Sequence, residues 1–371
     1  MKKAYVEYIE SIIKLNPVFI VGSGLSAGAG ISGMGKLATY LIQNVNIDKF
    51  EQDDLNEWEQ IKSRLITENK GLEEALQDSG DAISKQLLKE IIQQTWCCIS
   101  NDEQKLILDI SNDNDPTGFV RYFNKFKNSN TEIIHIITTN YDHLIEWSAS
   151  NSGWRIWDGF HEGSIGSPLS VSELNERMKI VSIVGKKPVT RRHQHLRIYK
   201  PHGSLSWFKF PDGQVKKVQG IGNHLLPMLG RIQIIPTIVT PGIGKYLETH
   251  KEPYNIVLSE MKQVLDSSKA LVFVGFGFND LHIQGNFDSI LRSDSVKKVI
   301  LAMGLSDNAK ELIESKKIKN FIAVQKYENG SQVISDVFEP FITDEPEHWT
   351  LKVLLNQAWG ADISATVSRS V

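Results

Sequence analysis

Pro17–Gly35 reads PVFIVGSGLSAGAGISGMG, and its first half decides the fold class. Val18–Val21 is an apolar run of buried-strand length, built from β-branched and aromatic residues. Glycines follow at 22, 24, 28, 30, 33 and 35, interleaved with Ser23, Ser26 and Ser32. Glycine takes positive φ readily and lets a ligand approach main-chain N–H groups. A helix-like run, Lys36–Gln43, comes next. Strand, glycine turn and helix start are the parts of a phosphate cradle, with amides and a positive helix end facing an anion. The spacing is Gly-x-Gly-x-Ser rather than Gly-x-Gly-x-x-Gly, so the rest of the chain has to supply the confirmation.

The remaining composition narrows the class. The chain has 371 residues, 41% hydrophobic and 23% charged, with a net charge of −3. That is the profile of a globular protein with a substantial core, and nothing in it points to nucleic-acid binding. No apolar run approaches the roughly 18 residues that span a bilayer, which predicts a cytoplasmic protein with no membrane partner. The two cysteines, Cys97 and Cys98, are adjacent. They cannot build a four-thiolate zinc site, and we expect both to be buried.

Along the chain, Tyr5–Leu15 has helical spacing and leads into the first strand. Leu37–Val45 completes a first βα unit. Residues 50–128 repeat apolar positions at helical intervals (Trp58, Ile61, Leu65; Ile83, Leu87, Ile91) and predict a helical insertion of four to six helices. Glu132–Thr139 is a second strand, ending in Asn140-Tyr141-Asp142. Residues 151–196 read as a loop-rich excursion. In and just after it, Lys186, Lys187, Arg191, Arg192, His193, His195 and Arg197 form a basic cluster, which the sequence reads as a solvated loop. Further strands are expected at Leu196–Lys200, Ile232–Thr240, Ala270–Val274, Val296–Met303 and Phe321–Val324, with helices at Tyr254–Leu265 and Asn308–Ser315. This alternation predicts a mainly parallel sheet covered on both faces.

Four strand ends carry polar or glycine-rich groups: Gly22–Ser26, Asn140–Asp142, His202–Gly203 and Gly275–Asp280. In an open parallel sheet such ends share one rim, where ligands bind. This constellation resembles the sirtuin family. Sirtuins carry Gly-Ala-Gly-Ile-Ser followed by Ser-Gly-Ile, matched here by Gly22-Ser23-Gly24-Leu25-Ser26 and Ala29-Gly30-Ile31. Their Gln-Asn-Ile-Asp is similar to Thr139-Asn140-Tyr141-Asp142. Their His-Gly matches His202-Gly203, and their late Gly-Thr-Ser turn is similar to Gly275-Phe276-Gly277. The departures are the missing Cys-x-x-Cys zinc module, the missing Val-x-Phe-Gly-Glu strand, and Ser32-Gly33-Met34-Gly35 in place of Pro-Asp-Phe-Arg.

The resemblance implies an α/β fold with a Rossmann-like parallel sheet over residues 1–49 and 130–345. It carries a helical insertion at 50–129 and no zinc module; a C-terminal segment occupies 346–371. It implies NAD as the substrate, with Asn140 and His202 catalytic. Gly22, Ser23, Gly24, Ser26, Asp142, Gly275, Phe276, Gly277 and Asp280 would be NAD-binding, and no metal is expected. Because the NAD-holding parts match and the acyl-peptide-holding parts do not, the chain looks like the sirtuin-like NAD hydrolases of bacterial anti-phage defence. The expected partner is a HerA-type hexameric ATPase, and homo-oligomerisation is expected. A protein deacylase and a non-catalytic NAD- or ADP-ribose-sensing module are the alternatives. Read without the resemblance, Asn140 could cap a helix, Asp142 could favour a helix N-terminus, and Asp280 could cap the segment after it.

Overall fold

Val18–Val21 is strand β1, buried at all four positions. Its flanks explain the rest of the sheet. The computed structural model describes residues 2–48, 50–80, 83–112, 115–220, 229, 233–239 and 253–360. On one side β1 pairs in parallel with β2 (Ile133–Thr138), which pairs in parallel with β7 (His195–Tyr199). On the other side it pairs in parallel with β11 (Ala270–Val274), followed by parallel β12 (Lys297–Leu301) and β13 (Phe321–Tyr327). Across these six strands the order is β7-β2-β1-β11-β12-β13. The chain winds outward from β1 and then restarts beside it, so the order reverses between β1 and β11. Ligands of doubly wound sheets bind at that reversal, past the carboxyl ends of the strands.

Alternation along each strand builds two cores. Val18 and Ile20, with Leu271, Phe273 and Ile300, face one apolar layer. That layer is covered by the helices Tyr254–Ser267 and Asp307–Glu314. Phe19 and Val21, with Ile136, Val272 and Val299, face the other. There Tyr5, Ile9 and Ile12 of the helix Lys2–Lys14, and Phe119, Tyr122 and Phe123 of Phe119–Phe126, close the layer. The result is a helix–sheet–helix sandwich with a largely parallel sheet, as the sequence predicts.

Several details differ from the sequence reading. The glycine stretch does not stay a loop: helix starts at Ser23, runs to Ala29 and stops at Gly30, whose φ is +113°. The next helix is Met34–Asn44. Residues 151–196 hold regular structure: β3 (Arg155–Trp157) on the edge of the main sheet beside β7, β4 (Ile165–Gly166), the helix Val171–Arg177, and a hairpin of β5 (Lys179–Val184) and β6 (Lys187–Arg192). The expected strand at 232–240 is β10 (Ile235–Ile238), and it belongs to a separate antiparallel sheet. That sheet also holds β4, β8 (Gly203–Lys209) and β9 (Val215–Val218). β14 (Gly330–Ser335) extends the far edge of the main sheet antiparallel to β13, and β15 (Phe341–Thr343) pairs antiparallel with β14. Phe321–Val324 is the last strand that the sequence predicts. Pro241–Gly244 and the tail 361–371 lie outside the described residues.

Residues 50–128 contain the helices Gln52–Ile66, Leu72–Gln77, Lys85–Ser111 and Phe119–Phe126. Cys97 and Cys98 sit buried on the third of these, and burial pushes the Cys97 thiol up to about 11. The basic cluster divides. Lys186, Lys187, Arg191 and Arg192 are exposed on the hairpin, whereas His195 and Arg197 are buried in β7. Burial moves the His195 imidazole down to about 4, and its Nε2 accepts from Arg197 Nε at 3.1 Å. A neutral histidine committed in this way is a core residue.

β1 and β11 are clasped beyond their last ladder pair. Gly24 N donates to Gly275 O at 3.0 Å, and Gly275 has φ +58°. A Cβ on Gly275 would lie 2.3 Å from Leu25 N, and one on Gly22 would lie 2.4 Å from Gly275 O. Gly275→Ala is therefore expected to lose about 2–4 kcal/mol, from left-handed strain plus main-chain overlap. Denaturant unfolding measures this, and a loss below about 0.5 kcal/mol would contradict the clasp.

Candidate active site

β11, β1, β2 and β7 are consecutive neighbours in the sheet, so their carboxyl ends lie side by side. Past them opens a cleft with about 1060 Å³ of empty space, counted out to its open mouth. Gly22, Ser23 and Ser26 line it after β1, and Asn140 and Asp142 after β2. His202 lines it after β7, and Phe276, Gly277 and Asp280 after β11. The described residues thus bring nine of the eleven expected site residues to one cavity. Gly24 and Gly275 are the other two, and they form the clasp behind its wall.

Hydrogen bonds tie the strand ends together. Asn140 Nδ2 donates to Gly22 O at 3.0 Å and to Ser26 Oγ at 2.7 Å. Ser26 Oγ donates to Asp142 Oδ2 at 2.7 Å. All three side chains are buried. Asn140 does not cap the following helix; its amide crosses to the β1 end, and no donor meets its Oδ1 among the described residues. Asp142 Oδ1 accepts from Leu144 N at 3.3 Å, so this carboxylate does support the helix Leu144–Asn151 as well. Burial pushes the Asp142 carboxyl above its usual range, while Lys200 and the Ser26 hydrogen bond pull the other way.

The amide cradle is smaller than expected. Gly22 N is used by Val274 O and Gly24 N by Gly275 O. Ser23 N, the first amide of its helix, has no main-chain partner among the described residues. Phe276 is largely a core ring, with centroids 5.9 Å from Phe273 and 5.1 Å from Phe278, and it presents the remainder of its surface to the cleft. The turn 276–279 is fixed from behind: Ser306 Oγ donates to Gly277 O, and Asn308 Nδ2 donates to Phe278 O at 3.1 Å.

His202 stands at the corner where the chain leaves β7 and enters the antiparallel sheet as β8. Gly203 makes the corner with φ +84°, and a Cβ there would lie 2.1 Å from Thr237 O. His202 O accepts from Val239 N at 2.8 Å. Its Nε2 lies 2.6 Å from Asp280 Oδ2. Asp280, expected as a ribose contact or a cap, therefore meets the imidazole across the cleft. The carboxylate orients the ring, the arrangement used by positioned histidine bases.

The sequence reading missed the charges beneath the Asn140–Asp142 turn. Lys200 is fully buried; its Nζ donates to Asp142 O and sits 2.7 Å from Glu146 Oε1. His143 Nδ1 lies 3.2 Å from both oxygens of buried Glu103, and its Nε2 lies 3.1 Å from Ser204 Oγ. Burial alone would lower the His143 pKa, but Glu103 outweighs it and the net shift is upward. A lysine closing the strand run Leu196–Tyr199 is the available signal for Lys200.

A family model described as SIR2-like domain matches residues 134–321, about half of the chain. The chain belongs to the SIR2-like domain family. Its match takes in the β2, β7 and β11 ends of the cleft. Among solved structures, an ADP-ribose complex of a Sir2 homologue variant is similar at 10% identity over 98% of each chain, with TM-score 0.46. A Sir2 homologue–NAD complex is similar at 11% identity over 85% of this chain and 87% of that one, with TM-score 0.41. A Sir2 protein bound to a propionylated peptide is similar at 12% identity over 83% and 99%, with TM-score 0.39. No curated protein matches the chain. No helix among the described residues of this SIR2-like chain is long and apolar enough to cross a membrane.

The buried Lys200–Glu146 pair gives a stability test. Lys200→Met leaves Glu146 without its cation and is expected to cost about 3–5 kcal/mol. The double variant Lys200→Met/Glu146→Leu should recover more than half of that loss. Chemical denaturation of both variants checks this; a near-neutral single variant, or a double variant no better than the single, would contradict it.

Proposed function

We propose that this chain cleaves the nicotinamide–ribose bond of NAD, consuming water and releasing nicotinamide, ADP-ribose and a proton. The observation that supports it is the meeting of Asn140, His202 and the Ser23–Ser26 turn in one cleft, in a member of the SIR2-like domain family.

Breaking this bond expels a neutral leaving group and builds positive charge on the ribose. The site therefore needs orientation, an electron-rich surround and a proton acceptor. Ser23 N and the Ser23–Ala29 helix start would face the pyrophosphate. Asn140 Oδ1 is the acceptor for the attacking water or a ribose hydroxyl, since its Nδ2 is already committed to Gly22 O and Ser26 Oγ. Asp142 would meet the nicotinamide carboxamide. The His202–Asp280 pair would take the proton released as the water or hydroxyl reacts.

The implied likeness to defence-type NAD hydrolases supports two further readings. The activity would serve NAD depletion against phage, and a HerA-type hexameric ATPase would act as partner to an oligomer of this chain.

His202→Ala and Asn140→Ala are each expected to cut nicotinamide release by about 10²-fold or more, and in His202→Ala ADP-ribose binding persists. Chromatography of NAD, nicotinamide and ADP-ribose with and without a candidate ATPase reads the first, and calorimetry the second. Near-wild-type release by both variants would contradict the assignment. Release that requires an acylated peptide would point to a deacylase instead, and binding without any product to a sensing module.

A further inference from the structure

The cleft's walls come from segments far apart in sequence, and three of them are tied to the same helix. Lys85–Ser111 crosses the site with Trp96, Ile99 and Glu103 on the side that faces it, a spacing of three and four residues that keeps them on one stripe, with Asp102 flanking it. Trp96 Nε1 donates to Leu205 O at 2.8 Å, holding the start of β8 just beyond His202. Ile99 lines the cleft itself. Asp102 Oδ2 accepts from Ser32 N at 3.0 Å, holding the loop that follows the Ser23–Ala29 helix.

Glu103 makes the most consequential contacts. Its Oε2 accepts from His143 N at 2.9 Å, and both its oxygens lie 3.2 Å from His143 Nδ1. The far nitrogen of that ring meets Ser204 Oγ at 3.1 Å. His143 directly follows Asn140-Tyr141-Asp142, and Ser204 lies two residues after His202. One carboxylate, 1% exposed, therefore reaches both proposed catalytic segments through a single imidazole.

We propose that Lys85–Ser111 sets the spacing of Asn140 and His202, with Glu103 as the positioning residue acting through His143 and Ser204. This rests on the NAD-hydrolase reading of the cleft. It makes the inserted helices part of the working site, because their displacement would loosen the Asn140 turn, the His202 corner and the Ser32 loop together. Misplacement by about 1 Å typically costs up to about 10²-fold in rate.

The test is steady-state NAD hydrolysis by Glu103→Gln, a nearly isosteric change that keeps an acceptor for His143 N but removes the charge facing its ring. The expected result is a kcat lower by about 10–100-fold, with KM and calorimetric ADP-ribose affinity within about 3-fold of the wild type. Lys89→Ala, on an exposed part of the same helix, should keep wild-type constants. A role in folding alone would lower the melting temperature and leave kcat per folded molecule unchanged. Should Glu103→Gln fail to fold, Trp96→Phe removes the bond to Leu205 O and should lower kcat in the same direction. Wild-type kcat in the folded variant, or an effect confined to KM, overturns this inference alone. Absence of turnover in the wild type overturns the hydrolase reading and this inference with it.

Discussion

The amide of Asn140 is the tie on which the cleft depends. One Nδ2 group donates to the main chain at Gly22 and to the hydroxyl of Ser26, and so fixes the β2 end against the β1 end. Strand pairing alone would leave these two turns free to differ in height and direction. The bond from Ser26 on to Asp142 closes the arrangement into a chain of three buried side chains. A buried polar group without partners costs about 1–3 kcal/mol, so each member holds the others in place. The side that remains uncommitted, Asn140 Oδ1, is the side available to chemistry.

Beneath that tie lies a layer of buried charge. Lys200 and Glu146 neutralise one another under the turn, and Glu103 faces His143 beside it. Buried pairs of this kind add little net stability, because desolvation offsets attraction. Their value here is geometric: Lys200 takes the carbonyl of Asp142, and Glu103 takes the N–H of His143. The turn is held from both its carbonyl and its amide sides. His202 approaches from another layer, at the corner between the parallel and antiparallel sheets, where Gly203 permits the main chain to pass close to Thr237.

Local pattern made the parallel sheet legible. Val18–Val21 and Ala270–Val274 are unbroken apolar runs, Ile133–Thr138 is β-branched apart from His135, and each ends abruptly in polar or glycine residues. Those endings located most of the cleft in advance. What local pattern does not carry is the partner of a strand or of a charge. β10 has the composition of a main-sheet strand but pairs antiparallel with β8, a choice made by tertiary contact. β14 lies outside the sequence expectation, although the two-residue turn Glu328-Asn329, followed by Gly330, joins it directly to β13. The glycine-rich stretch suggested an open loop of free amides, yet helix begins at once and β11 takes two of those amides. Lys200–Glu146, Glu103–His143 and His202–Asp280 span 54, 40 and 78 residues, and no spacing rule connects them.

The most direct measurement is a crystal structure of the His202→Ala chain soaked with NAD. The pyrophosphate is expected at Ser23, the nicotinamide beside Asp142, and the nicotinamide-bearing ribose within about 3–3.5 Å of Asn140 Oδ1 or a water it holds. NAD bound elsewhere, or bound here with its nicotinamide end turned away from Asn140, would contradict it.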